Sequence, residues 1–163
     1  MIYFLSLGSN LGNRSANLAR ARKMLREKGV DVLEASSVYE TEPVDHLDQP
    51  WFMNQALQVR SSLDPQALLR LAQSVESAMK RVPTVAKGPR TIDIDILLAG
   101  DTVLNDPDLV IPHPRMAQRN FVLVPLCEIA PEIRHPVLGK TIREMAPASA
   151  DRARVMAKRR RPV

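Results

Sequence analysis

The chain is predicted to fold as an α+β sandwich, on three observations. Apolar runs of strand length occur at 2–7, 30–39, 52–60 and 92–97. Two stretches with helical spacing lie between them, at 13–28 and 64–80. Their order is strand–helix–strand–strand–helix–strand, which is the ferredoxin-like plan, followed here by a C-terminal extension.

Each element has local support. Ile2 to Leu7 is an apolar run ending in the turn sequence Gly8-Ser9-Asn10. Asn13 can cap a first helix that buries Leu18, Ala21 and Leu25 and stops at Gly29. Val30 to Tyr39 reads as one strand, and 40–51 as a loop. In the strand 52–60, Phe52, Asn54, Ala56 and Gln58 share one face, with Leu57 and Val59 on the other. Asp64-Pro65 starts a second helix with Leu68, Ala72, Val75 and Met79 inward, and Gln73 and Glu76 on a different face.

Residues 82–89, with Pro83, Gly88 and Pro89, read as a loop that closes over a ligand. Beyond the fourth strand, 99–102 resembles a hairpin turn into a short strand at Val103-Leu104. His113-Pro114 opens a helix that Pro125 is expected to interrupt. Thr141-Ile142-Arg143-Glu144 is a capping box for a short last helix. One domain is expected over 1–150, with the tail 151–163 frayed.

The charge distribution gives no argument for a nucleic-acid-binding body. The net charge is +5, but residues 151–163 hold six Arg or Lys and one Asp, leaving 17 basic and 17 acidic side chains in the body. The body is neutral, so no nucleic acid is expected as partner. Cys127, the single cysteine, lies in an apolar run and reads as a buried thiol, so no internal disulfide is expected. The first residues lack a signal-peptide pattern, and no apolar run has the length of a membrane span. A cytoplasmic monomer with no membrane contact is expected.

The chemistry concentrates in Gly88-Pro89-Arg90-Thr91-Ile92-Asp93-Ile94-Asp95-Ile96-Leu97. Read with a period of two, Ile92, Ile94 and Ile96 face one way and Asp93 and Asp95 the other. Residues two apart on a strand are about 6–7 Å from each other, so the carboxylates repel. A divalent cation resolves that conflict, because carboxylate oxygens are hard ligands. Arg90 adds a planar fork for phosphate oxygens. An RNA-recognition module shares the strand order but needs stacking aromatics where this chain has carboxylates. A small-molecule regulatory module gives Arg90 no role beside the Asp pair. A metal-dependent nucleotide-using enzyme accounts for both, and palm-type nucleotidyltransferases also set carboxylates on such a sheet.

Six short segments carry a resemblance. They are 7–12 (LGSNLG), 36–41 (SSVYET), 49–54 (QPWFMN), 88–95 (GPRTIDID), 111–116 (IPHPRM) and 119–126 (RNFVLVPL). In this order and spacing the chain resembles the bacterial 6-hydroxymethyl-7,8-dihydropterin pyrophosphokinases of the folate pathway, up to about Ala150. The resemblance implies ATP and a pterin alcohol as substrates, with AMP released. It implies two magnesium ions on Asp93 and Asp95, and Arg81 and Arg90 as catalytic arginines. The pterin slot would comprise Gly8, Thr41, Pro43, Val44, Phe52, Asn54 and Phe121. Nucleotide contacts would come from Gln73, Glu76, Arg81, Arg90, Ile96, His113 and Arg119. Without the resemblance, Phe52 and Phe121 would read as core, Gln73 and Glu76 as a solvated helix face, and His113 as a helix cap. The chain departs from familiar members at Pro83, often a second arginine, at Lys87, often tryptophan, and at Asp108, basic in some relatives. Lys87 is expected to stand in partly for the arginine missing at Pro83.

Overall fold

A computed structural model describes residues 1–43, 48–80, 90–149, 151 and 154–157. The expected order is present as β1 (Ile2–Ser9), α1 (Arg14–Glu27), β2 (Asp31–Ala35), β3 (Tyr39–Thr41), β4 (Phe52–Arg60), α2 (Pro65–Met79) and β5 (Asp93–Ala99). There follow β6 (Leu104–Asn105), β7 (Val110–Ile111), α3 (Asn120–Ile129), α4 (Ile142–Ala148) and β8 (Val155–Ala157). The main sheet runs β5-β1-β4-β3-β8, with β2 also pairing β4, and all its ladders are antiparallel. This is the ferredoxin-like α+β fold, with β5 on one edge.

Alternation along the strands feeds two cores. Tyr3, Leu5, Leu7, Leu57, Val59, Ile94 and Ile96 pack with the buried stripes of α1 and α2. Phe4, Ala56, Leu97 and Leu98 pack on the opposite face against Val122, Leu123 and Leu126 of α3 and Ile142 of α4. The β1–β5 register shifts between Phe4 and Leu5, so Leu97 is an extra residue in β5. Such a bulge re-aims the strand beyond it. On the site side of that shift, Asp93 and Asp95 remain on the face away from α1 and α2.

Several expectations need correction. Val30–Tyr39 is two strands, because Ser36 leaves the pattern: its hydroxyl accepts the Ala56 N–H (2.9 Å) and donates to the Ser37 carbonyl (2.7 Å). The strand read at Val103-Leu104 is Leu104–Asn105, and it pairs with β7 in a separate two-stranded sheet. No helix begins at His113. A short 3-10 turn at Met116–Gln118 comes first, and α3 then starts at Asn120 and continues through Pro125 to Ile129. Proline removes one bond, which burial of Val122, Leu123 and Leu126 offsets. The tail does not fray throughout, since Val155–Ala157 adds a strand to the exposed side of β3. Cys127 is only partly buried.

Candidate active site

Cross-strand pairing assembles the site. Asp93 lies opposite Gly8 and Asp95 opposite Ser6, while Gly8 lies opposite Asn54 and Thr41 opposite Phe52. Directly paired residues share a face, so one surface of the sheet carries all seven. The first turn of α3 brings Arg119 and Phe121 over that surface. The result is a cleft of about 710 Å³ including its open mouth. Besides these residues it is lined by Glu42, Pro43, Gln49 and Arg90.

One end of the cleft suits a flat polar ring. Asn54 is 3% exposed, and its amide nitrogen donates to the Thr41 hydroxyl. A Cβ on Gly8 would stand 2.7 Å from Asn54 Oδ1 and 3.5 Å from Phe52 Cδ1, so only glycine lets Asn54 lie across β1 here. Phe52 and Phe121 both line the cleft. The Arg119 guanidinium sits 5.4 Å from the centre of the Phe121 ring, a cation–π contact that holds the ring and leaves charge facing the cleft.

The other end is charged. Arg90 Nη1 donates to Asp93 Oδ2 at 2.9 Å. The Asp95 carboxyl is pushed up to about 7, first by burial and then by the charge of Asp93, with Arg119 and Arg90 opposing. Glu76, on α2, accepts the Ile94 N–H at 3.1 Å, one of the free donors of edge strand β5. Its carboxyl is likewise raised to about 7, by burial above all; the Ile94 hydrogen bond opposes this, and Asp93 adds to it. His113 donates its backbone N–H to Leu97 O (2.9 Å). Its ring is pushed down to about 4 by burial, then by Arg119 and Arg115. His113 Nδ1 accepts the Arg115 N–H at 3.2 Å, so the neutral ring keeps Nε2–H as a donor.

The structure thus gathers Gly8, Thr41, Pro43, Phe52, Asn54, Arg90, Asp93, Asp95, Arg119 and Phe121 around one cleft. Glu76 and His113 stand at the β5 edge beside it. Gln73 is exposed on α2 and does not line the cleft. Ile96 is 3% exposed in the core beneath α1 and α2, so its side chain does not reach the cleft. Val44, Arg81, Lys87 and the loop 82–89 lie outside the described residues.

Sequence reasoning assigned no role to Ser6, Asn10, Glu42 or Gln49. Asn10 is 2% exposed and joins both ends of the site. Its Oδ1 accepts the Arg90 N–H (2.7 Å), and its Nδ2 donates to Gln49 Oε1 (2.7 Å) and Pro50 O (3.0 Å). Ser6 was legible as the polar residue two before Gly8 in an apolar strand. The hub at Asn10 depends on partners about 40 and 80 residues away, which no local pattern reveals.

The donor set fits magnesium. Two carboxylates share a strand face, and burial beside the Asp93 charge makes the Asp95 charge costly until a cation joins them. Among the described residues no group of three or more His, Cys, Asp or Glu forms a metal cage. Such an ion would therefore complete its shell with phosphate oxygens and water, as magnesium does in phosphoryl-transfer sites.

A ferredoxin-like sheet with a carboxylate pair, arginines and two aromatic rings in one cleft is an arrangement suited to phosphoryl-group transfer to a small molecule. The sequence model of the 7,8-dihydro-6-hydroxymethylpterin-pyrophosphokinase (HPPK) family matches residues 4–131, and the chain belongs to that family. It is 43% identical over 133 residues to the 2-amino-4-hydroxy-6-hydroxymethyldihydropteridine pyrophosphokinase of Bacillus subtilis, covering 81% of this chain and 80% of that one. It is 42% identical to the enzyme of the same name from Methylorubrum extorquens, covering 86% and 89%. It is also 44% identical to the folic acid synthesis protein fol1 of Pneumocystis carinii over 85% of its own length, but it spans only 19% of that protein. Among solved structures, a Plasmodium falciparum HPPK-DHPS aligns with a TM-score of 0.71, covering 90% of this chain and 45% of that one. At 19% identity this is a likeness of fold. No helix among the described residues is long and apolar enough to cross a membrane.

Proposed function

We propose that this chain transfers the β,γ-diphosphoryl group of ATP to the hydroxymethyl oxygen of 6-hydroxymethyl-7,8-dihydropterin. The observation that carries the reading is the union, in one cleft, of an aromatic and amide-lined slot with a carboxylate pair flanked by Arg90 and Arg119. Family membership over residues 4–131 supports the same chemistry.

In this reading the pterin lies between Phe52 and Phe121, which supply stacking faces. Asn54, held by Thr41, presents a fixed amide to the donor–acceptor edge of the ring. Pro43 and Val44 complete the slot. Asp93 and Asp95 would hold two magnesium ions, which supply charge neutralisation along the triphosphate and a template for in-line displacement. Arg90 and Arg119 bind phosphate oxygens, and Arg90 is set by Asn10, whose side-chain Oδ1 accepts the Arg90 N–H and whose N–H donates to the Arg90 carbonyl. Arg81 and Lys87 would add cationic contacts to the phosphates. His113 donates Nε2–H to a phosphate oxygen, while Gln73, Glu76 and the main chain at Ile96 face the nucleoside.

The pterin alcohol oxygen forms a bond to the β-phosphorus as the bond from that phosphorus to the α,β-bridging oxygen breaks. AMP leaves with the bridging oxygen, and the alcohol proton is released. No side chain acts as a nucleophile. Orientation and electrostatic stabilisation carry the rate. A regulatory module would bind ligands without turnover, and a palm-type nucleotidyltransferase would transfer the nucleotidyl group and release pyrophosphate.

The pterin half of this reading is tested by calorimetric titration. Phe52→Ala and Phe121→Ala should each weaken pterin binding by about 1–3 kcal/mol, the range for loss of an aromatic stack. ATP binding should change far less. Equal losses for both ligands would mark the two rings as structural core and remove the slot.

A further inference from the structure

The family match ends at residue 131, yet the chain beyond α4 returns to the cleft and touches two of its walls. One wall is Thr41, Glu42 and Pro43, at the end of β3 and just beyond it; the other is Arg119 and Phe121, where α3 begins. At the second wall, Asp151 accepts the Asn120 N–H on its carboxylate (2.8 Å), and its carbonyl accepts from Asn120 Nδ2 (3.2 Å). At the first, the Arg154 carbonyl accepts the Glu42 N–H (3.0 Å), and Arg154 Nε donates to Glu42 Oε2 (2.9 Å). The same guanidinium lies 5.0 Å from the centre of the Trp51 ring, next in sequence to Phe52. Strand β8 then places Val155 opposite Thr41, which holds Asn54.

We propose that Asp151 and residues 154–157 act as a strap that fixes the spacing of the two walls of the pterin slot, with Arg154 as its positioning residue. The proposal rests on the pterin reading above. Glu42 and Trp51 bracket the stretch that gives Pro43 and Gln49 to the cleft, so Arg154 ties both ends of that stretch with one side chain. Its side chain is 71% exposed, and an exposed ion pair alone contributes little. The effect comes from an ion pair, a cation–π contact and a backbone hydrogen bond that meet at one place. None of the described strap residues lines the cleft; Arg154 acts through the Glu42 wall, away from the charged end, whereas the Asp151 anchor also bears on the segment that carries Arg119.

The test is equilibrium titration with 6-hydroxymethylpterin and, separately, with ATP and magnesium, alongside thermal melting. Arg154→Met should weaken pterin binding about fivefold, the order expected for modest surface contacts, with ATP affinity unchanged. Arg154→Lys, which keeps the charge, should restore most of the loss. A chain ending at Ser149 should lose more pterin affinity than Arg154→Met does. Unchanged pterin affinity in both Arg154→Met and the shortened chain would overturn the strap. Parallel losses for pterin and ATP in Arg154→Met would also overturn it, by showing a general structural role. Wild-type protein that binds no pterin would remove the underlying reading, and the strap with it. Wild-type binding with indifferent variants would sink the strap alone.

Discussion

Asp95→Asn is expected to lower turnover by a factor of about a hundred to a thousand, the scale set by loss of one charge-stabilising group at a reacting centre. Asparagine keeps the size of the side chain and removes the charge that would hold magnesium opposite Ser6 on β1. The fold should not suffer. Burial and the neighbouring Asp93 already hold the Asp95 carboxyl near 7, so a neutral amide relieves a cost of the metal-free protein. Its melting temperature should therefore equal or exceed that of the wild type near neutral pH. Asp93→Asn should be comparably inactive, and it also weakens the contact to Arg90 Nη1. Steady-state kinetics and calorimetric melting check both halves. Near-normal turnover in the two single variants would contradict the assignment of this pair.

The second large effect is expected from one methyl group. Gly8→Ala places a Cβ 2.7 Å from Asn54 Oδ1, a separation that forces the amide to move. Asn54 has little room, because it is buried and bonded to Thr41. Overpacking of this kind costs about 1–3 kcal/mol, and displacing the amide leaves the pterin edge without its partner. Pterin affinity should fall by a factor of about 10–100. ATP affinity should fall less, since its phosphate contacts lie toward Asp93 and Arg90. Titration of the folded variant decides this. An unaltered pterin affinity would show that the Asn54 amide does not read the ring.

Local chemistry made much of the fold legible. Asp64 caps α2 by accepting the Ala67 N–H (2.8 Å), Asn13 caps α1 by accepting the Ala16 N–H (3.1 Å), and Thr141 and Glu144 form the expected capping box. The buried stripes of both long helices are the residues that a period near 3.6 selects. What local pattern missed depends on distant partners. Ser36 ends β2 through Ala56, and Val155–Ala157 becomes a strand only because β3 offers an unpaired edge. Pro125 does not stop α3, because the apolar residues around it are buried against the sheet.

The site was legible to a similar depth. The alternation of Ile and Asp placed two carboxylates on one face, and the motif order singled out Phe52, Asn54 and Phe121. Period-two reading did not show that Asn10 joins Arg90 to Gln49, nor that the tail returns to Glu42. Both are contacts between segments that the sheet brings together. Ile96 shows the converse: its place in the motif suggested a ligand contact, but the alternation that aims Asp95 at the cleft sends the Ile96 side chain into the core.

The central claim is that this cleft joins a pterin alcohol to the β-phosphorus of ATP. It is tested most directly by following AMP formation with ATP and magnesium, with and without 6-hydroxymethyl-7,8-dihydropterin. AMP should appear only when the pterin is present, in equal amount to a diphosphorylated pterin. AMP formed at the same rate without pterin, or ADP in its place, would contradict the account.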